Sequence, residues 1–109
     1  LLTEQYPEQF DRADIKAVLE GFIKTFDISD DMNTWFEKVK ADATEIGFAA
    51  DMKEYKANPE AFGGNVADVS MFIRVAVTGK TNAPDLYTVM QILGESETIA
   101  RIDAMLAKI

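Results

Sequence analysis

The chain has 109 residues, a formal net charge of -8, and neither cysteine nor histidine. The missing residues exclude a disulfide scaffold, thiolate and histidine zinc sites, and every nucleophile–base pair that uses cysteine or histidine. We expect one domain with a single helical core, too short for an enzyme that carries a cofactor fold of its own.

The first residue and the hydropathy favour a soluble piece of a larger protein. The sequence begins at Leu1 without a methionine, which favours a fragment from the interior of a longer chain. No apolar run approaches the roughly 20 residues that span a bilayer, and no signal sequence opens the chain. We therefore expect a cytoplasmic, monomeric fragment with no membrane partner.

The first half of the chain has helical apolar spacing and no sustained strand-like alternation. A first helix is predicted over about 14–26, followed by Ser29, Asp30 and Asp31 as N-cap candidates for the next. The apolar stripe of that second helix consists of Met32, Trp35, Phe36, Val39, Ala43 and Ile46, and Gly47 is its predicted stop. A shorter helix is expected over about 51–56, before Pro59 interrupts it.

The second half is also predicted to be helical. After Gly63-Gly64, which we interpret as a flexible joint, a helix runs to about Gly79. Pro84 suits the first turn of the following helix, which ends at Gly94, and a last helix carries Ile99, Ile102, Met105 and Leu106. The fold class is therefore all-α, a compact bundle of about six helices, divided by the diglycine into lobes over residues 1–62 and 63–109.

A basic window stands out in this acidic chain, since the sequence between Val69 and Pro84 holds Arg74 and Lys80 but no acid. A pocket for an unstacked RNA base needs apolar or planar walls, polar groups for the base edge and basic residues for phosphate. The planar guanidinium of Arg74 can bond a base edge or stack on a ring. A loop is predicted from Thr78 to Ala83, and Pro84 and Leu86 offer a rigid apolar surface beside it. The window is therefore suited to RNA binding.

Several segments in a fixed order carry a family resemblance. They are WFEKVKADATEIGF, KEYKANPEAFGGNVADVSMFIRVAVTGKTNAPDLYTVMQILG and ETIARIDAML. Together they resemble the C-terminal anticodon-binding region of bacterial glutamyl-tRNA synthetases over at least residues 35–107. The resemblance implies a helical cage that receives the anticodon loop of glutamate tRNA, with no DNA partner.

The resemblance also implies a parent enzyme, a class I synthetase that attaches glutamate to its tRNA with ATP and Mg²⁺. The family's catalytic domain carries a His-x-Gly-His signature and a Lys-Met-Ser-Lys-Ser-like loop. A sequence without histidine lacks the first, and the second is absent. We therefore expect no catalytic residue, cofactor or metal in this fragment, which would act beside the catalytic domain of its parent chain.

Four positions are implied to lie around the first anticodon base, namely Arg74, Ala83, Pro84 and Leu86, all in the 63–109 lobe. Because Ala83 has no polar side chain, any hydrogen bond from it must come from its backbone. Lys80 is a possible phosphate contact whose effect would shrink with salt.

Each of these features also has a purely structural interpretation. Arg74 can pair with Asp68 or Asp85, while Pro84 and Leu86 can serve as a helix start and a core residue. Trp35 and Phe36 are expected in the core.

The remaining polar features are open to the same two kinds of interpretation. Tyr55 and Tyr87 are either half-buried or on an RNA-facing rim. The acidic clusters are interpreted as caps and exposed faces in preference to a metal site; they are Asp30-Asp31 and the group Glu8, Asp11 and Asp14. For the whole domain, the alternative function is a helical protein–protein interaction module with an apolar groove.

Overall fold

The secondary structure is helical, as the sequence predicts. The computed structural model describes residues 10–79 and 85–109, and this part contains six α-helices. They are α1 (Arg12–Thr25), α2 (Met32–Glu45), α3 (Met52–Ala57), α4 (Val66–Thr78), α5 (Leu86–Leu93) and α6 (Glu95–Lys108), with a 3₁₀ turn at Pro59–Ala61. The all-α class is confirmed.

Aspartate side chains cap the N-termini of four helices, α1, α2, α3 and α5. The Asp11 carboxylate accepts a hydrogen bond from the Ala13 N–H at 3.0 Å, and the Asp31 carboxylate accepts one from the Thr34 N–H at 2.8 Å. These bonds satisfy N–H groups that have no partner within a helix, and the bond from Thr34 holds the pKa of Asp31 below its usual value. The cap interpretation is confirmed for both residues. Glu8 lies outside the described residues, among which no group of three acids is placed to hold a metal ion.

Glycines end three helices where the sequence predicts a stop, and Gly94 is the one that caps α5. Gly47 follows α2 with φ of 80°, and Gly79 caps α4 with φ of 76°. Both angles lie in the left-handed region, which a residue without a Cβ adopts cheaply. The Gly79 N–H donates to the Val75 carbonyl at 2.8 Å, which closes the last turn of α4.

The core is organised around α4, which packs against α1, α2, α5 and α6. Residues from both halves of the chain form one buried cluster, whose fully buried members include Val18, Leu19, Val39, Val69, Phe72, Ile73, Val75, Met90, Ile102 and Met105. The division of the chain at the diglycine stays a prediction. Within the described residues, no helix has both the length and the apolar composition needed to span a bilayer.

The diglycine itself packs against an aromatic ring. A Cβ at Gly63 would lie 2.9 Å from the ring of Phe48, and one at Gly64 would lie 2.7 Å from it. The Ala49 N–H donates to the Gly64 carbonyl at 2.9 Å, so two chain segments run side by side here. This close approach gives both glycines a packing role that the sequence pattern did not indicate.

One prediction about the core is wrong. Trp35 and Val39 are buried as expected, but Phe36 is 36% exposed and Met32 is 48% exposed. Both α1 and α4 pack on α2, and they cover the side that carries Trp35 and Val39. Phe36 lies about 100° around the helix from Trp35, so it falls at the uncovered edge of the stripe.

Candidate nucleic-acid interface

Three helices enclose a cavity of about 340 Å³ around Arg74, which we call the Arg74 cavity. Its lining comprises Met32, Asn33, Trp35 and Phe36 from α2, Ser70 and Arg74 from α4, and Asp85 and Leu86 from the start of α5. Ser70 and Arg74 are four residues apart and so share one face of α4. The cavity therefore combines apolar walls with hydroxyl, amide, carboxylate and guanidinium groups.

The Arg74 guanidinium has an unsatisfied donor. Its Nε atom is buried and makes no hydrogen bond to the part of the chain that the structure describes. Among the described residues, no ion pair joins Arg74 to Asp68 or Asp85. Asp68 instead accepts from the Asn65 N–H at 3.0 Å, and Asp85 accepts from the hydroxyl of Thr88 at 2.8 Å. The two structural pairings considered from the sequence are not formed.

Trp35, which also lines this cavity, has a second buried donor that makes no hydrogen bond among the described residues. The side chain is 7% exposed, and its Nε1 atom is buried without a hydrogen-bond partner. Its ring stacks with that of Phe36 at 6.4 Å between centroids and meets Tyr87 edge-on at 5.7 Å. The predicted burial of Trp35 is confirmed, but the residue also lines the cavity.

Long-range hydrogen bonds hold α5, and with it Leu86, against the first half of the chain. The Tyr87 hydroxyl donates to the Asp30 carbonyl at 2.6 Å, and the Gln91 amide donates to the Ile28 carbonyl at 3.0 Å. Tyr87 is half-buried, which settles one of the two tyrosines left open by the sequence.

The other open tyrosine, Tyr55, lies away from the Arg74 cavity. It is half-buried, and its ring centroid is 6.4 Å from that of Phe62. This contact gives Tyr55 a structural environment on α3.

The end of α4 and the start of α5 each accept hydrogen bonds that hold them in place. Arg101 of α6 donates from Nη1 to the Val77 carbonyl at 2.8 Å and from Nε to Glu97 at 2.8 Å. A cation at the end of a helix also complements its dipole. On the other side, the Asp85 carboxylate caps α5 by accepting from the Thr88 N–H at 3.1 Å.

The structure describes two of the site residues predicted from the sequence. Arg74 and Leu86 both line the Arg74 cavity, and Leu86 is also a core residue with 2% exposure. Lys80, Ala83 and Pro84 lie outside the described residues. The helix predicted to begin near Pro84 has its first residue at Leu86.

Sequence reasoning missed the contribution of α2 to this cavity. Apolar periodicity assigned Trp35 and Phe36 to the core, and no signal marked Asn33 or Ser70. A sharper estimate of the width of the buried stripe on α2 would have found Phe36, because the exposed members lie at one edge of it.

A different cavity lies between α1 and α2, with a volume of about 280 Å³. Asp42 is 7% exposed there, and its Oδ2 atom is buried without a partner. Burial, with a smaller contribution from Glu45, raises the pKa of Asp42 to about 7. Lys24 and Lys38 also line this cavity, but neither bonds to the Asp42 carboxylate. We call this the Asp42 cavity.

The comparisons with known proteins identify the class of domain. The sequence model of a family described as "Anticodon binding domain" matches residues 41–106. The match covers more than half of the chain, so the chain belongs to the anticodon binding domain family, as the resemblance indicated.

The similar curated proteins are glutamate–tRNA ligases. That of Acetivibrio thermocellus is 42% identical over 96% of this chain and 19% of its own length. That of Sorangium cellulosum is 45% identical over 89% of this chain and 17% of its own length. That of Clostridium perfringens is 40% identical over 94% of this chain and 19% of its own length. The chain spans about a fifth of the length of these relatives. A comparison with solved structures found no significant match.

Proposed function

We propose that this chain is the anticodon-binding part of a glutamate–tRNA ligase and that it binds the anticodon loop of glutamate tRNA. The similarity to glutamate–tRNA ligases over nearly the whole chain supports this function. In this proposal the parent enzyme is cytoplasmic and attaches glutamate with ATP and Mg²⁺. That chemistry belongs to a catalytic domain outside this chain, which itself binds RNA without aminoacylating it.

The observation that carries the proposal is the unsatisfied Arg74 donor beside the Arg74 cavity. Buried polar groups without partners are uncommon, and a guanidinium keeps its proton in proteins, so it needs an acceptor from elsewhere. The edge of a nucleobase supplies such acceptors. A volume of about 340 Å³ lies at the lower end of small-ligand sites, and Trp35 and Leu86 provide its apolar walls.

We propose that the first anticodon base occupies this cavity. The family resemblance implies that Arg74 and Leu86 lie beside that base, and this proposal is supported by the fact that both line the Arg74 cavity. Ala83 and Pro84 complete the set from the loop, with Ala83 acting through its backbone. Lys80 contacts a phosphate near the base.

The charge of the chain sets its expected affinity. A net charge of -8 opposes non-specific binding to a polyanion, and surface repulsion discriminates against incorrect docking. We therefore expect weak binding of the isolated chain to RNA, with a shallow dependence on salt, because few cations contact phosphate.

The test is a titration of the chain with the anticodon stem-loop of glutamate tRNA and with a stem-loop whose anticodon is scrambled. We expect the wild type to prefer the correct loop, and Arg74→Ala to lose roughly tenfold or more in affinity together with the preference. Arg74→Lys restores the charge but not the planar fork, so it should not restore the preference.

Arg12→Ala is the matched control, since Arg12 is exposed at the start of α1. It should keep the preference. Equal binding of both loops by the folded wild type would contradict the proposal and favour the protein–protein interaction module.

A further inference from the structure

The Arg74 cavity has a neighbour on the same side of α2. A second cavity of about 610 Å³ lies between α2, α3 and the start of α4, and Phe36 lines both cavities. We call the second one the Phe36 groove. Lys40, Met52 and Lys53 also line it. One aromatic ring therefore joins two adjacent concave sites.

The exposed apolar side chains follow this surface. Met32 is 48% exposed, Phe36 is 36% exposed and Met52 is 37% exposed. Met32 lines the Arg74 cavity, Met52 lines the Phe36 groove, and Phe36 lines both. An apolar surface shared by adjacent cavities is typical of a binding site, whereas single exposed apolar residues are ordinary.

A displaceable cation covers the aromatic ring. The Lys40 Nζ atom lies 4.9 Å from the centroid of the Phe36 ring and 3.1 Å from the Glu37 carboxylate. Glu37 is 70% exposed, and exposed ion pairs of this kind stabilise proteins weakly. The Lys40 ammonium can therefore move off the face of the Phe36 ring at a small cost in free energy. Because the side chain is long and flexible, the charge stays close to the edge of the ring.

This combination is suited to a nucleotide. Successive bases of single-stranded RNA stack on aromatic rings while lysines contact the backbone phosphates. The Phe36 ring supplies the platform, and Lys40 and Lys53 supply the charge. The Asp51 carboxylate, the acid in this groove, already accepts the Lys53 backbone N–H at 2.9 Å as the cap of α3.

We propose that the Phe36 groove binds the nucleotide next to the one in the Arg74 cavity, with its base on Phe36 and its phosphate near Lys40 and Lys53. The inference rests on the proposed function and extends it. Phe36 then separates two neighbouring bases of the anticodon loop, so the domain has two base sites on one side of α2.

The test uses the anticodon stem-loop of glutamate tRNA, intact and with an abasic position at each nucleotide that flanks the first anticodon base. The intact loop should bind Phe36→Ala roughly 5- to 100-fold more weakly than the wild type. The abasic loop that lacks the base stacked on Phe36 should bind the wild type and Phe36→Ala with equal affinity. Phe36→Tyr keeps the ring and should restore binding of the intact loop.

Two matched controls separate this effect from a general loss of apolar surface or charge. Ile92→Ala removes another exposed apolar side chain, 79% exposed on α5 and outside both cavities. Lys16→Ala removes an exposed lysine of α1, for comparison with Lys53→Ala. Of these two lysine variants, only Lys53→Ala should weaken RNA binding and reduce its dependence on salt. The single tryptophan, stacked on Phe36, gives an independent fluorescence signal.

The outcomes distinguish the two proposals. If Phe36→Ala binds all the loops like the wild type while Arg74→Ala loses the anticodon preference, the second base site is wrong and the proposed function stands. If the wild type shows no preference for the correct loop, both proposals fail together. Equal losses of affinity for the intact and both abasic loops in Phe36→Ala would also overturn the second base site.

Discussion

Two cavities lie on different sides of α2, and each is lined by a charged residue with a buried polar atom, Asp42 in one and Arg74 in the other. The Asp42 cavity, facing α1, holds a buried carboxylate between Lys24 and Lys38. The Arg74 cavity, on the other side, holds the buried donors of Trp35 and Arg74. Each side contains buried polar atoms that form no hydrogen bond with any residue in 10–79 or 85–109.

The two buried groups differ in whether they can become neutral by a change of protonation. A carboxylate in an apolar environment can take up a proton and become neutral, and the raised pKa of Asp42 expresses this. A guanidinium has no such alternative, so its unsatisfied donor requires an acceptor from outside. The Asp42 side therefore predicts a pH-dependent stability, whereas the Arg74 side is the one for which we propose RNA binding.

The largest expected effect is the pH dependence of stability from Asp42. Its folded pKa of about 7 lies above the unfolded value of 3.8, so the folded state binds the proton more tightly. The stabilisation is complete below pH 3.8 and is lost as the pH rises through 7, with a total of roughly 4 kcal/mol. Urea unfolding between pH 4 and pH 8 should show this decline, which should be absent in Asp42→Asn.

Glu45→Gln sharpens the same measurement. Glu45 contributes to the raised pKa of Asp42, so its neutralisation should reduce the decline without abolishing it. A wild-type stability that stays constant from pH 5 to pH 8 would mean that Asp42 has a partner in solution, and the two sides of α2 would then differ less than the structure indicates.

The next effect concerns Gly21, which faces Asp42 across the contact between α1 and α2. A Cβ at position 21 would overlap the Asp42 carboxylate. Gly21→Ala should therefore destabilise the wild type by about 1–3 kcal/mol. In an Asp42→Ala background the methyl group has room, and alanine should instead stabilise α1 by about 0.5–1 kcal/mol. A double-mutant cycle by chemical denaturation measures the change of sign; additive effects would show that the two residues do not touch.

A smaller effect distinguishes two lysines of α2 that lie on opposite sides. Lys38 donates to the Thr25 carbonyl and to the Asp30 carboxylate, both at 2.6 Å. Lys38→Ala should lower the free energy of unfolding by about 1–2 kcal/mol, because charge-assisted bonds to the α1–α2 loop are lost. Lys40→Ala should lower it by less than about 0.5 kcal/mol while weakening RNA binding. Equal effects on stability would remove the distinction.

The smallest expected effect is on the Arg74 side. Arg74→Met replaces a buried unsatisfied donor with an apolar side chain of similar length, so the free energy of unfolding should stay the same or rise by up to about 1 kcal/mol. RNA binding should fall in the same variant. A loss of several kcal/mol in thermal or urea unfolding would show that Arg74 has a structural partner and that its cavity is not kept for a ligand.

The helices were predictable because their signals are local. Asp31 and Gly47 mark the two ends of α2, because an aspartate suits the N-cap and a glycine suits the position after the last turn. The 3.6-residue period of apolar residues located the buried faces of α1 and α4. The width of the α2 stripe was not predictable, because it depends on which neighbouring helices cover it. Phe36 shows this, since its apolar side chain fits the period and still lies exposed.

The candidate site was predictable in part. Arg74 stood out as a base within an apolar helix, and the family resemblance pointed to Leu86. Trp35 and Ser70 join them only through the packing of α2 against α4, a contact between residues 35 positions apart. The burial of Asp42 depends likewise on the approach of α1 at Gly21, which no pattern along α2 reveals.

The two hydrogen bonds from α5 to the α1–α2 loop join parts of the chain that are synthesised at different times. They join Tyr87 to Asp30 and Gln91 to Ile28, which are 57 and 63 residues apart in the chain. Contacts between such distant residues require the closure of long loops. A nascent chain that ends before Tyr87 can form neither bond and lacks all of α5 beyond its first residue, Leu86. The packing of α5 against the α1–α2 loop therefore requires a chain that has been synthesised at least as far as Gln91.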